Sequence, residues 1–325
     1  MSHTFVTRLL PEPGMQALAA SGLKLDIWPE EQPPDAESLR QHLAGAQGLI
    51  TMLSDRIDAS VLDAAGPQLR VISQMAVGVD NIDLAACTAR GIPVGHTPGV
   101  LSDAVADLTI GLMLATARRI IEAAEDVKGG RWQSWSPMGW VGPSLHGSTV
   151  GLVGMGRIGL AVARRLTGFG VRTLYHNRNE HPQAQQVGAT LVDWDTLLSQ
   201  SDFVSLHCPY TPATHHLIDA AALARMKPGA MLINTARGGV VDQEALLDAL
   251  RSGQIRGAGL DVTTPEPLPA THPLLSLPNV VVLPHIGSAG QRARNKMAVM
   301  TVENLLAGLA GNPLPWCANP EVYES

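Results

Sequence analysis

Aromatic residues make up only 4% of this 325-residue chain, charged residues 16%, and cysteine occupies three positions, Cys87, Cys208 and Cys317. An odd number of cysteines without C-x-x-C spacing leaves neither a disulfide framework nor a zinc cluster as the organising device. No uninterrupted apolar run approaches the roughly 18 residues that span a bilayer. Met1 to Leu10 also lacks the basic-then-apolar pattern of a secretory leader. A formal charge of −6 argues against nucleic acid or an anionic membrane as the main partner. With 45% hydrophobic residues, what remains is a globular protein, expected in the cytoplasm and long enough for about two domains.

The chain is rich in glycine, with 32 residues, and three of them organise its second half. Ser148 to Gly159 runs S-T-V-G-L-V-G-M-G-R-I-G: a short β-branched strand, then Gly154, Gly156 and Gly159, then a helical pattern through Leu166. Each glycine has a separate task. Gly154 permits the tight turn, Gly156 lets the backbone approach a pyrophosphate, and Gly159 lets the helix pack closely on the strand. The helix start then offers N–H groups to phosphate. Val171 to Tyr175 is the next strand, and Asn177 lies 23 positions past Gly154, where the residue that reads the adenine ribose is expected. An acid is absent there. Asn177 and Arg178 leave room for a 2′-phosphate that Arg178 can pair with, so NADPH is expected over NADH, with NADH still usable. A solvated loop arginine is the competing reading of Arg178.

Before this unit, strand and helix signals alternate. Strands are expected at Thr4–Leu9, Leu23–Trp28, Gly48–Met52 and Val71–Met75, with helices at Pro13–Ala20 and near Asp35–Leu43. After Met75 comes a loop whose glycine can present backbone N–H groups to an anion. Thr97-Pro98-Gly99 is a candidate hinge. One long helix, N-capped by Ser102, is expected to run to about Val127. Trp132, Trp135 and Trp140 follow in a glycine- and proline-rich loop that suits a subunit contact or a pocket border. Further strands at Asp202–His207, Met231–Thr235, Gly257–Val262 and Asn279–Leu283 end in polar residues, on the edge where an open parallel sheet binds ligands.

Arg237, Glu266 and His285 follow three of those strands and make a chemical set. Arg237 can hold a carboxylate through a two-pronged pair. His285 can give a proton to a carbonyl oxygen as hydride arrives, and Glu266 can favour and orient the protonated ring. Taken singly, each has a plain structural alternative. The adjacent His215 and His216 make a poor metal site, because neighbouring positions rarely face one ion.

Several stretches carry a resemblance over nearly the whole chain: A-V-G-V-D-N-I-D at 76–83, G-M-G-R-I-G at 154–159, H-C-P-Y-T-P-A-T at 207–214 and I-N-T-A-R-G-G at 233–239. G-L-D-V-T-T-P-E-P-L-P at 259–269, L-P-H-I-G-S-A at 283–289 and W-x-x-W at 132–135 complete the set. The chain resembles the D-2-hydroxyacid dehydrogenase family, most closely its glyoxylate/hydroxypyruvate reductase branch. The resemblance implies two Rossmann-like α/β domains. Residues 99–289 would form a doubly wound parallel-sheet cofactor domain, inserted in a flavodoxin-like substrate domain made of residues 1–98 and 290–325. It implies an active site in the cleft and a homodimer, with Trp135 or Trp140 reaching a neighbouring subunit's pocket.

By the same resemblance Arg237 orients substrate, His285 donates the proton and Glu266 is its partner. Val77 and Gly78 bind the substrate carboxylate, and Leu53, Ser288 and Trp135 border the substrate. Gly154, Gly156, Arg157, Ile158 and Gly159 lie under the pyrophosphate, Asn177 and Arg178 at the ribose, and Cys208, Pro209 and Thr214 along the nucleotide. Thr235, Ala236 and Asp261 hold the nicotinamide carboxamide, with Gly287 and His285 near the ring. The expected reaction is NADPH-driven reduction of glyoxylate to glycolate and hydroxypyruvate to D-glycerate. Two alternatives stay open: a dehydrogenase for a bulkier 2-keto acid, its pocket sized by Met52, Leu53 and the tryptophan loop, and a nucleotide-sensing corepressor-like protein.

Overall fold

The computed structural model describes residues 3–324, which form two compact units. The first holds the chain up to Leu101 and again from Ala289; the second is Ser102–Ser288. No helix among the described residues is long and apolar enough to cross a membrane.

Five strands build the first unit's sheet: β1 His3–Val6, β2 Leu25–Ile27, β3 Ala46–Thr51, β4 Val71–Gln74 and β5 Val94–Gly95. All pairings are parallel, in the order β2-β1-β3-β4-β5, which is the flavodoxin-like winding. Phe5, Leu49 and Ile72 on the strands are buried against Leu39, Leu43 and Leu62 of the helices. The returning helix Gln291–Leu309 lies on the sheet at glycine positions. A Cβ on Gly48 would stand 2.7 Å from Leu305, and one on Gly308 would stand 2.5 Å from Val71. Three of its helices start on aspartates: the Asp35, Asp58 and Asp83 side chains accept N–H groups of the first turns, satisfying donors that a helix start leaves open. Two of those helices, Ala59–Ala65 and Leu84–Ala89, are short segments that hydrophobic periodicity does not reveal.

The second unit's strands are β6 Thr149–Val153, β7 Arg172–His176, β8 Ala189–Leu191, β9 Phe203–Leu206, β10 Met231–Asn234, β11 Gly257–Leu260 and β12 Val280–Val282. They form a parallel sheet ordered β12-β11-β10-β9-β6-β7-β8. The chain winds outward from β6 to β8 and then returns to β9 beside β6, so the direction of winding reverses between those two strands, as in a doubly wound fold. Asp193, Asp219 and Asp242 cap helices here in the same manner as in the first unit.

Two expectations fail, both on one helix. The helix begun at Ser102 ends at Ala117, and a second, Ile120–Lys128, follows. Between them Arg119 adopts a left-handed conformation, φ 54°. The reason is steric: the loop returning at Gly142 runs so close that a Cβ there would stand 2.0 Å from the Ala117 carbonyl oxygen, in the space a continuing helix needs. Ser102, expected as the N-cap, is itself the first helical residue.

Ser102–Ala117 packs on β11 where Gly259 leaves room; a Cβ there would meet Thr116 Oγ1 at 2.6 Å and Leu112 Cγ at 2.7 Å. Gly259→Ala should therefore overpack this contact and cost about 1–3 kcal/mol. A lower urea midpoint at unchanged slope reports that loss; an unchanged midpoint would mean that the helix simply shifts.

Candidate active site

Asp261, the residue after β11, anchors the carboxyl edge of the second sheet. It is 1% exposed, and its two carboxylate oxygens accept the N–H groups of Ile286 at 2.8 Å and Gly287 at 2.7 Å. Its own carbonyl accepts the His285 N–H at 2.9 Å. Burial pushes the Asp261 carboxyl above its usual range, while the two backbone N–H groups pull it back. Strand ends β11 and β12 are thereby tied together around His285, whose φ of 54° lies in the left-handed region.

His285 Nδ1 stands 2.5 Å from Glu266 Oε1, and Glu266 Oε2 accepts the Thr263 N–H at 3.4 Å. With Nδ1 engaged, Nε2 is the ring nitrogen left to face another molecule. Arg237 arrives from the adjacent strand β10. The buried Asn234 shapes its turn by donating to the Arg237 carbonyl at 2.9 Å and accepting the Ala236 N–H at 3.0 Å. A Cβ on Gly238 would stand 2.0 Å from the Thr263 carbonyl oxygen, so the arginine loop runs directly against the loop that leads to Glu266. The structure thus joins Glu266 to His285 and sets Arg237 on the neighbouring loop. The Thr235 hydroxyl lies 3.0 Å from that of the buried Thr109, and Ser288 is half-buried just past Gly287.

At the opposite side of β9, the glycine turn has the geometry of a phosphate cradle. Gly154 has φ +95°, and its Cβ would stand 2.7 Å from the Cys208 backbone N; a Cβ on Gly159 would stand 2.2 Å from the Gly154 carbonyl oxygen. Neither site admits a side chain. Gly156 is different: a Cβ there meets nothing within 4 Å, and it caps helix Arg157–Leu166 without a side-chain hydrogen bond. The first-turn N–H groups of that helix are therefore left for an outside acceptor, and the residues fit a dinucleotide pyrophosphate. Arg157 is exposed and Ile158 half-buried.

Asn177 Oδ1 accepts the Met155 N–H at 3.0 Å, so the residue at the ribose position also braces the glycine turn. Arg178 is exposed and has no ion-pair or hydrogen-bond partner among the described residues. Past β9, burial pushes the Cys208 thiol up to about 11, which keeps it protonated and inert near neutral pH. The Thr214 hydroxyl donates to the Pro209 carbonyl at 2.7 Å and accepts the Thr211 N–H at 2.8 Å, closing its own loop. His207 ends strand β9's sequence stretch and opens the 207–214 stretch, but its strand-end position gave no sign of its burial. Its Nδ1 is buried without a partner, its Nε2 is 3.0 Å from Ser205 Oγ, and burial lowers its pKa to about 3, leaving a neutral ring close to Gly159.

On the first unit, Val77 and Gly78 follow β4, and Leu53, 36% exposed, follows β3. The sequence did not disclose what holds these loops. Asp55, 2% exposed, accepts from the Thr7 hydroxyl at 2.5 Å, the Thr51 hydroxyl at 2.9 Å and the Met52 N–H at 2.8 Å. Asn81 Nδ2 donates to the carbonyls of Met52 at 3.0 Å and Asp55 at 2.7 Å. The one signal available was Asn81 itself, inside the 76–83 stretch.

In the tryptophan loop Trp135 is 79% exposed, whereas Trp140 lies under the Arg119 guanidinium, 4.6 Å from its ring centre. Ile120, Ile121, Trp132, Met138 and Val141 are exposed with them, an apolar surface on the helix Ile120–Lys128 and the loop after it. His215 and His216 stack, ring centres 3.9 Å apart.

Comparison with known proteins gives consistent relatives. The family profile described as "D-isomer specific 2-hydroxyacid dehydrogenase, NAD binding domain" matches residues 110–287. The chain is 50% identical over 318 residues to the human glyoxylate reductase/hydroxypyruvate reductase, covering 97% of each. Among solved structures, a protein from Thermus thermophilus superposes with a TM-score of 0.91 at 50% identity, over 98% of this chain and 100% of that one. The NADPH-dependent glyoxylate/hydroxypyruvate reductase of Sinorhizobium meliloti, solved with NADP and malonate, gives 0.83 at 33% identity, over 98% and 97%.

Proposed function

Because this chain belongs to the D-isomer specific 2-hydroxyacid dehydrogenase family, and is thus an oxidoreductase with an NAD-binding domain, we propose that it reduces glyoxylate to glycolate and hydroxypyruvate to D-glycerate, with NADPH preferred. The observation that carries the reading is the His285–Glu266 pair at 2.5 Å, on the loop clamped by Asp261 and beside the loop of Arg237. Relatives named for these two substrates, at about half identity over nearly their whole length, support the substrate assignment.

When bound, the reduced nicotinamide supplies hydride to the keto carbon. His285 Nε2 gives its proton to the keto oxygen, which becomes the hydroxyl, and Glu266 stabilises the charged ring before transfer and fixes its orientation. Arg237 orients the acid by a charge-assisted pair and polarises the carbonyl. The N–H groups of Val77 and Gly78 hold the carboxylate, while Leu53, Ser288 and Trp135 limit the size of the substituent. Gly154 to Gly159 with Arg157 and Ile158 support the pyrophosphate; Cys208, Pro209 and Thr214 flank the nucleotide; Thr235, Ala236, Asp261 and Gly287 position the carboxamide. Asp261 already accepts one N–H on each oxygen, and a lone pair remains on each for a carboxamide N–H. For the 2′-phosphate, the support is a neutral Asn177 engaged with the glycine turn and an unpartnered Arg178.

Initial rates with NADPH and NADH, against glyoxylate, hydroxypyruvate and a bulkier 2-keto acid, test this reading. NADPH with the two small acids should be the fastest combination, and Arg178→Ala should raise KM for NADPH about tenfold while sparing NADH. Equal use of NADH by the wild type would overturn the cofactor preference alone. Faster turnover of the bulkier acid would favour a dehydrogenase for larger 2-keto acids, and no turnover at all would favour a nucleotide-sensing binding protein.

We also propose that the exposed apolar surface around Trp132 and Trp135 is covered by a second copy of the chain. Sedimentation equilibrium should return twice the 34.3 kDa chain mass, and Trp135→Ser with Met138→Ser should lower it. A monomer at micromolar concentration would contradict this.

A further inference from the structure

Backbone N–H groups bind an anion only if something holds the peptide planes, and in a loop that restraint must come from side chains or neighbouring strands. The stretch after β4 shows such a restraint. The Ala76 carbonyl accepts the Thr97 N–H at 2.8 Å. The Val77 carbonyl lies 3.0 Å from His96 Nδ1, and the Gly78 carbonyl accepts Gln74 Nε2 at 2.6 Å. Three successive carbonyls are thus pinned. Only Thr264-Pro265 and Glu266-Pro267 are cis among the described residues, so these peptides are trans, and in a trans peptide N–H points opposite to C=O. Pinning the Ala76 and Val77 carbonyls therefore aims the Val77 and Gly78 N–H groups away from their own supports. Neither N–H has a hydrogen-bond partner among the described residues.

The pins are themselves held. Gln74 is fully buried and forms a reciprocal amide pair with Asn81, Nε2 to Oδ1 at 2.7 Å and Nδ2 to Oε1 at 2.9 Å. This pair fixes which end of the Gln74 amide faces Gly78, and the second proton of Asn81 Nδ2 is shared between the Met52 and Asp55 carbonyls. His96 is fixed by its backbone: its N–H donates to the Trp316 carbonyl at 3.0 Å and its carbonyl accepts Asn304 Nδ2 at 3.0 Å. Asn304 also accepts the Trp316 N–H at 3.1 Å. The C-terminal segment thus sets the His96 backbone, and the His96 ring sets the Val77 peptide.

We propose that His96 is a positioning residue for carboxylate recognition: it holds the peptide that carries the Gly78 N–H in the orientation that receives the carboxylate of a 2-keto acid, while the Gln74–Asn81 amide pair braces the next peptide, Gly78–Val79. This rests on the functional reading above. His96 acts here as an N–H donor through Nδ1, not as an acid or base.

The test compares His96→Leu, which deletes the donor, with His96→Asn, whose Nδ2 occupies nearly the same place as Nδ1, and with Gln74→Met, which keeps shape but removes the amide. KM for glyoxylate should rise about five- to tenfold in His96→Leu, the size expected for one lost hydrogen bond, and by less in Gln74→Met, which frees only the following Gly78–Val79 peptide. KM for the reduced cofactor should not move, kcat should stay within about threefold, and His96→Asn should recover most of the loss. Calorimetric binding of oxamate, an unreactive 2-keto acid mimic, to the cofactor-loaded protein should weaken in parallel. Unchanged KM and oxamate affinity, a parallel rise in cofactor KM, or an Asn variant as poor as Leu would overturn the proposal and leave the reductase reading intact. A wild type that neither reduces glyoxylate nor binds oxamate would remove both.

Discussion

The buried carboxylate of Asp261 is the constraint on which the carboxyl edge of the second unit's sheet depends. A carboxylate that is 1% exposed is costly unless hydrogen-bonded, and here two backbone N–H groups from one loop meet it. Those bonds carry out two tasks together. They stabilise the charge, and they clamp Ile286 and Gly287 so that His285 is held in a left-handed conformation it would otherwise visit rarely. The ring is then presented to Glu266 from a fixed backbone, which a flexible loop does not provide.

The same logic recurs at other strand ends. Asn234 shapes the Arg237 turn, Asn177 braces the glycine turn, and Gln74 with Asn81 shapes the loop after β4. In each case a short, buried or half-buried polar side chain at or just past a strand end bonds the backbone of a functional loop. In a parallel sheet successive strand ends lie side by side, so Asn177 after β7 reaches the loop after β6, and Asn81 after β4 reaches the loop after β3. Rigid supports of this kind keep reacting groups within the narrow geometry that catalysis requires.

Much of the fold was legible because its signals are local. Gly154 and Gly159 state a strand-turn-helix unit by backbone sterics, and the alternating strand and helix signals imply parallel sheets. Arg237, Glu266 and His285 were legible as residues placed after strands. What stayed hidden depends on tertiary contact. The break at Arg119 is imposed by Gly142, more than twenty positions away. Asp55, Gln74 and His96 resemble ordinary strand-end residues until their partners are known. The short helices at 59–65 and 84–89 are too brief to show a period, although the aspartates that cap them are visible once the boundaries are given.

The central claim is that His285, held by Glu266 and the Asp261 clamp, supplies the proton for keto-acid reduction. The most direct measurement is the turnover of glyoxylate by His285→Ala alongside its affinity for reduced cofactor, read by nucleotide fluorescence. The account predicts kcat lower by roughly a hundredfold to ten-thousandfold with cofactor affinity within a few-fold of wild type. A kcat within about threefold of wild type would contradict it.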